Sequence, residues 1–215
     1  MEFCGLTRAA DAAFAASLGA AYLGVIFAGG PRLRTAAEAR AIFEGAPRSG
    51  PVRRVGVFGS QPLPEILAIA AEAELHIVQL HGGATPEMIA ALRDAFTGDI
   101  WRVLRARAGG GMPIGALREA SAGADGVVLD ALVDGRLGGT GVTLDWHAVA
   151  AALEADGRPA RLVLAGGLTA ANIGVAVRLV APEVVDVSSG VESAPGIKDH
   201  GRMRAFFDAA QGRGG

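Results

Sequence analysis

The chain repeats one pattern eight times: a short, mostly apolar run of strand length, then an alanine-rich stretch with helical spacing. The runs cover residues 2–4, 22–27, 54–58, 76–80, 100–104, 126–130, 161–165 and 184–187. The helical stretches cover 8–18, 35–43, 63–73, 86–96, 112–121, 145–154, 170–180 and 198–210. Alternation of this kind predicts parallel strands joined by helical crossovers. The runs lack polar alternation, as strands buried on both faces do. Local punctuation agrees: Gly19 stands as a C-cap, Thr35 and Glu38 as a capping box, and Thr85 as an N-cap with Pro86 at the first helical position. Eight units of about 27 residues each fit a (β/α)8 barrel, one domain over residues 1–215. The competing open, doubly wound sheet would carry a Gly-x-Gly-x-x-Gly turn after its first strand. That turn here is Cys4-Gly5-Leu6-Thr7-Arg8, and Gly139-Thr140-Gly141 lacks the third glycine.

Composition narrows the function classes. Hydrophobic residues make up 51% of the chain and charged residues 20%, enough for a core. A net charge of −2 gives no strong pull toward nucleic acid or anionic lipid. Cys4, the lone cysteine, allows no intrachain disulfide and implies no oxidising compartment. Lys198, the lone lysine, lies outside any Gly-Lys-Ser/Thr phosphate loop, and Schiff-base chemistry would have to use it. Residues 12–31 carry no charge, but alanine and glycine make them a poor membrane span. The Met1-Glu2 start has no basic signal region, so the expected location is cytoplasmic.

In such a barrel the chemistry sits at the C-terminal ends of the strands. Cys4, Gln79 and Asp130 end strands there, and Arg32, His81, Gly166, Gly167, Ser188, Ser189 and Gly190 occupy the loops that follow. The loops after strands 7 and 8 often hold a phosphate. Glycine backbone and serine hydroxyls in both are the donors such a group needs. Cys4 and Asp130 are the candidate base and acid, although a lone cysteine can equally fill a core and an aspartate can equally cap a loop. Arg32 can grip a carboxylate through its planar fork, with Arg34 as its rival. His81 can line the pocket. It stands five residues from His76, so the two face opposite sides of a strand, and no metal site is expected.

These residues lie in blocks that resemble phosphoribosylanthranilate isomerase. The blocks are Cys4-Gly5-Leu6-Thr7 with Asp11-Ala12, Gly56-Val57-Phe58, Val78-Gln79-Leu80-His81-Gly82, Val128-Leu129-Asp130 and Gly138-Gly139-Thr140-Gly141 with Asp145-Trp146. They continue in order through Leu164-Ala165-Gly166-Gly167-Leu168 with Asn172, and Val185-Asp186-Val187-Ser188-Ser189-Gly190-Val191-Glu192 with Pro195-Gly196 and Lys198-Asp199. The resemblance implies a cofactor-free Amadori rearrangement in tryptophan biosynthesis, on a small phosphorylated substrate, by a monomer or homodimer. It implies Cys4 as general base, Asp130 as general acid and Arg32 as the holder of the substrate carboxylate. Gly166, Gly167, Ser188, Ser189 and Gly190 fall in the implied phosphate loops. The chain departs from the family pattern at Gly30, where serine is usual, and at Leu144, where an aromatic residue is usual. Related phosphosugar barrels fit less well: dual-substrate isomerases carry a carboxylate where Cys4 stands, and indoleglycerol-phosphate synthases and aldolases carry lysines on barrel strands. A non-catalytic phosphate-binding barrel would have no use for the Cys4 and Asp130 pair.

Overall fold

The computed structural model describes residues 1–47, 52–82, 84–107, 112–113, 115–132 and 143–212. The expected Gly138-to-Gly141 block and most of the glycine-rich stretch 108–115 lie outside the described residues. The strands are β1 (Glu2–Phe3), β2 (Tyr22–Ile26), β3 (Arg53–Phe58), β4 (Ile77–Leu80), β5 (Asp99–Arg107), β6 (Gly126–Leu132), β7 (Leu162–Leu164) and β8 (Val184–Val187). They form a closed barrel in sequence order, and β8 pairs in parallel with β1 to complete it. The helices are α1 (Ala9–Leu18), α2 (Ala36–Phe43), α3 (Leu63–Glu72), α4 (Pro86–Ala95), α5 (Ala116–Ser121), α6 (Trp146–Asp156), α7 (Ile173–Val180) and α8 (His200–Ala210). The (β/α)8 barrel is therefore the fold.

The caps behave as the sequence predicts. Thr35 accepts from the Glu38 N–H while the Glu38 side chain accepts from the Thr35 N–H, a complete capping box. Thr85 caps α4 through the Met88 N–H. Gly19 ends α1 at φ 97°, a left-handed conformation that costs glycine little. The uncharged stretch 12–31 is split between α1, a turn and β2, and no helix among the described residues is long and apolar enough to cross a membrane.

Several boundaries move. Helix 112–121 shortens to Ala116–Ser121, because Gly115 precedes it in a left-handed conformation. Helix 170–180 starts only at Ile173, because Asn172 ties the preceding turn through the Thr169 N–H and the Gly167 carbonyl. The last helix starts at His200, not Lys198, since Asp199 caps it through the Arg202 N–H. Lys198 belongs instead to a small antiparallel pair, β9 (Glu192–Ala194) with β10 (Ile197–Lys198), which follows a single 3-10 turn at Ser189–Val191. Neither feature was expected, being too short to leave a periodic signal.

Side-chain alternation builds two cores. One packs the outer strand faces against the helices, with Phe3, Leu23, Phe58, Leu80, Leu129 and Leu164 among its buried members. The other fills the barrel with Val55, Ile77, Trp101, Val128, Val163, Ala165 and Val184. Trp101 takes the largest share of that interior, edge-on to Tyr22 at 5.1 Å. Gly126 makes room for it: a Cβ there would lie 2.9 Å from the indole. This plug closes the lower barrel and leaves the C-terminal end open.

Candidate active site

A cavity of ≈ 230 Å³ occupies the open end of the barrel. All ten residues singled out from the sequence line it: Cys4, Arg32, Gln79, His81, Asp130, Gly166, Gly167, Ser188, Ser189 and Gly190. Arg34 is not among its lining residues; it is half-buried and donates to the Leu33 carbonyl. The pleat explains the convergence. Gln79 on β4 and Asp130 on β6 continue the inward-facing rows begun by Ile77 and Val128, and Cys4 continues the row begun by Glu2 on β1.

The titratable groups around the cavity are unlike those in water. Burial pushes the Cys4 thiol well above its usual range, and the nearby Asp186 and Glu2 carboxyls push the same way; the Lys198 ammonium pulls it down. Burial also raises Asp130, against the pull of the Arg105 guanidinium and a hydrogen bond from the Ala131 N–H. Asp186 is raised to about 7 by burial and by Asp130. His81 is lowered to about 4 by burial and by Arg105, so it is a neutral imidazole at pH 7. Its Nε2 lies 3.6 Å from Asp130 Oδ2. At pH 7 that contact is one between a neutral ring and a carboxyl group, and it is too long for a good hydrogen bond.

The glycine-bearing loops are built for close approach. Gly166 and Gly167 sit at φ 82° and 67°, and a Cβ on Gly166 would lie 2.5 Å from the Ala131 nitrogen and 2.9 Å from Asp130 Oδ1. Gly190 packs directly on the Leu168 carbonyl oxygen, so the loops after β7 and β8 touch backbone to backbone.

Four buried charged residues beside the cavity were not named as site residues from the sequence. Glu192, on β9, receives both Nε and Nη2 of Arg32, at 2.8 and 2.6 Å. Lys198, on β10, donates to Glu192 Oε1 at 2.9 Å and to the Ser188 carbonyl at 3.0 Å. The lone lysine is thus a buried ion-pair partner within the segment after β8, and Glu192, through Arg32, ties that segment to the loop after β2. Glu2, wholly buried on β1, is the third, and Asp186, its register partner on β8, is the fourth. Asp186 lines the cavity. Alternation along β1 and β8 was the available signal for Glu2 and Asp186. Nothing local signals Glu192, which meets an arginine 160 residues away.

The family model for N-(5'-phosphoribosyl)anthranilate (PRA) isomerase matches residues 1–209. An N-(5'-phosphoribosyl)anthranilate isomerase of Pseudomonas aeruginosa (strain UCBPP-PA14) is 40% identical over 214 residues, which cover 99% of this chain and 95% of the relative. The crystal structure of phosphoribosyl anthranilate isomerase from Thermus thermophilus superimposes with a TM-score of 0.83 at 33% identity, covering 98% of each chain. A further phosphoribosyl anthranilate isomerase, solved in complex with reduced 1-(o-carboxyphenylamino)-1-deoxyribulose 5-phosphate, has a TM-score of 0.80 at 29% identity and covers 98% of this chain and 97% of its own. A whole-chain family match, a shared barrel and a cavity at its C-terminal mouth lead to one conclusion: the chain is an enzyme that belongs to the N-(5'-phosphoribosyl)anthranilate isomerase family.

Proposed function

We propose that the chain converts N-(5-phosphoribosyl)anthranilate to 1-(2-carboxyphenylamino)-1-deoxyribulose 5-phosphate, an Amadori rearrangement in tryptophan biosynthesis, with Cys4 as general base and Asp130 as general acid. The observation that carries this reading is the convergence of Cys4 and Asp130, from opposite parts of the barrel, on one cavity that Arg32 and the two glycine-bearing loops also line.

Asp130 starts the reaction. Its carboxyl group, raised by burial, gives a proton to the ribose ring oxygen. The C1–O bond breaks as the nitrogen lone pair forms C1=N, leaving an open-chain iminium. That cation acidifies the C2–H bond. Cys4, as thiolate, takes the C2 proton, and the released pair forms C1=C2 while the nitrogen becomes neutral. The enolamine then tautomerises to the ketone. A buried thiol beside two carboxyls resists ionisation, so the thiolate needs positive charge. Lys198 supplies some from behind, and the iminium supplies more in front as it forms.

The remaining residues hold the ends. Arg32 spends its Nε and Nη2 on Glu192, which leaves the Nη1 side of its fork for the anthranilate carboxylate. Gly166, Gly167, Ser188, Ser189 and Gly190 receive the phosphate, and Gln79 and neutral His81 line the space between. Anchors at both ends keep C1 and C2 between acid and base, a positioning effect. No step draws on a cofactor.

The test follows loss of the fluorescent anthranilate substrate in buffer containing a chelator. Cys4→Ala and Asp130→Ala are each expected to lower kcat by roughly 10²–10⁴-fold with little change in substrate affinity. Full activity in either variant would overturn that residue's role.

A further inference from the structure

Glu2 and Cys4 stand two residues apart at the start of the chain, so both side chains point to the barrel axis. Asp186 faces them from β8, in register with Glu2. One ligand atom from each of the three lies within 4.8 Å of the other two, and all three residues are buried, Glu2 completely. Both Glu2 carboxylate oxygens and Asp186 Oδ1 lack a hydrogen-bond partner among the described residues. Three carboxylate oxygens without a hydrogen-bond partner, beside a thiol, form an electron-rich pocket; the Met1 and Lys198 ammonium groups offset part of its charge, and protons or a bound cation must offset the rest, since a bare buried carboxylate is costly. Gly24 of β2 walls the trio: a Cβ there would lie 2.6 Å from Glu2 Oε1 and 2.9 Å from Cys4 Sγ. Cys4 and Asp186 also line the cavity, which gives an ion a way in.

We propose that Glu2, Cys4 and Asp186 form a binding site for a thiophilic divalent cation of the zinc class, and that its occupation takes Cys4 out of catalysis. The donor set decides the ion. One thiolate and two carboxylates suit zinc, cadmium or cobalt, whereas magnesium and calcium require six or more hard oxygens. Three protein ligands leave a fourth position for water, on the cavity side. Binding is balanced by proton release: the cation takes lone pairs from the sulfur and from both carboxylates, and the thiol proton leaves to solvent together with any proton that Glu2 or Asp186 holds. The ion then occupies the electron pair that would remove the substrate's C2 proton. The inhibition rests on the assignment of Cys4 as base; the binding itself does not.

The metal-stripped protein is titrated with cadmium ion, following the ultraviolet sulfur-to-cadmium charge-transfer band, with zinc ion as competitor. The expected result is a band saturating at one ion per chain, displaced by zinc, unmoved by magnesium and absent in Cys4→Ser. Glu2→Gln and Asp186→Asn are each expected to weaken cadmium binding by roughly 10–100-fold or more. Asp186→Asn carries the same reading if Glu2→Gln fails to fold. No saturable band, or unchanged affinity in the carboxylate variants, overturns the site. Zinc is also expected to inhibit the isomerase assay with the same apparent dissociation constant, reversibly with a chelator. Full binding with full activity would overturn the inhibition, and with it the role of Cys4, while the site itself would stand.

Discussion

Arg32 shows how one residue's neighbours set its chemistry. An arginine on a loop after β2 is by default a solvated side chain with many rotamers. Here its guanidinium is docked edge-on to Glu192, with side-chain exposures of 14% and 5%, so the fork is fixed before any substrate arrives. Pre-paid ordering of this kind lowers the cost of binding. Glu192→Gln keeps the shape but weakens the pairing and leaves Lys198 less well matched. We expect KM to rise about tenfold or more, consistent with loss of ~1.5–3 kcal/mol from a charge-assisted hydrogen bond, with kcat nearly unchanged. An analogue lacking the anthranilate carboxylate separates this from general damage: its binding to wild type and variant is expected to be equal. A KM for the full substrate that does not move would show that Glu192 leaves Arg32 free. Gly166 makes the matching point about backbone. At φ 82° and with Asp130 and Ala131 against it, Gly166→Ala is expected to cost ~1–3 kcal/mol of stability and to displace Asp130, seen as a joint fall in kcat and thermal midpoint.

At the scale of elements, α2 carries its own start signal, and the Thr35–Glu38 box satisfies two of its free N–H groups. Thr35→Ala is expected to lower stability by ~0.5–2 kcal/mol. For a chain of this size that corresponds to a fall of roughly 2–4 °C in midpoint per kcal/mol, with kcat and KM untouched. A thermal melt beside the isomerase assay checks both halves. Elements with such local signals were legible in the sequence: the strands in order, the capped helices, and the strand ends that bring Cys4, Gln79 and Asp130 to one rim. The period-2 rows also contained Glu2 and Asp186, but a carboxylate that faces a barrel axis looks the same in sequence as one that faces water. The β9–β10 pair did carry a local signal, the Pro195-Gly196 turn between its strands, but strands of two and three residues leave no period to read. The Arg32–Glu192 contact had none: it exists because closure of the barrel sets β8 beside β1 and brings the segment after β8 to the loop after β2.

For the whole molecule, the buried site leaves a signature in how stability depends on pH. Asp186 rises from 3.8 to about 7 on folding, and Glu2 shifts the same way. Between those values the native state holds protons that the unfolded chain has released, so stability falls as pH rises from about 4 to 7 and is then level for this group. His81 shifts oppositely, from 6.5 to about 4. There the unfolded chain binds the extra proton, so stability rises with pH across about 4 to 6.5. The two contributions oppose each other below pH 6.5, and the wild-type curve alone would hide both. Substitution separates them. Asp186→Asn removes the proton-holding carboxyl while keeping its shape, so the variant gains on wild type as pH rises from 4.5 to 8, by an amount on the order of a few kcal/mol. His81→Gln moves the other way, gaining on wild type as pH falls from 7 toward 4. Chemical denaturation of the three proteins at pH 4.5, 6 and 8 reads the differences directly. If Asp186→Asn differs from wild type by the same amount at all three values, the carboxyl is not held protonated by the fold. The acid–base poise of the cavity would then have to come from bound substrate instead of the barrel.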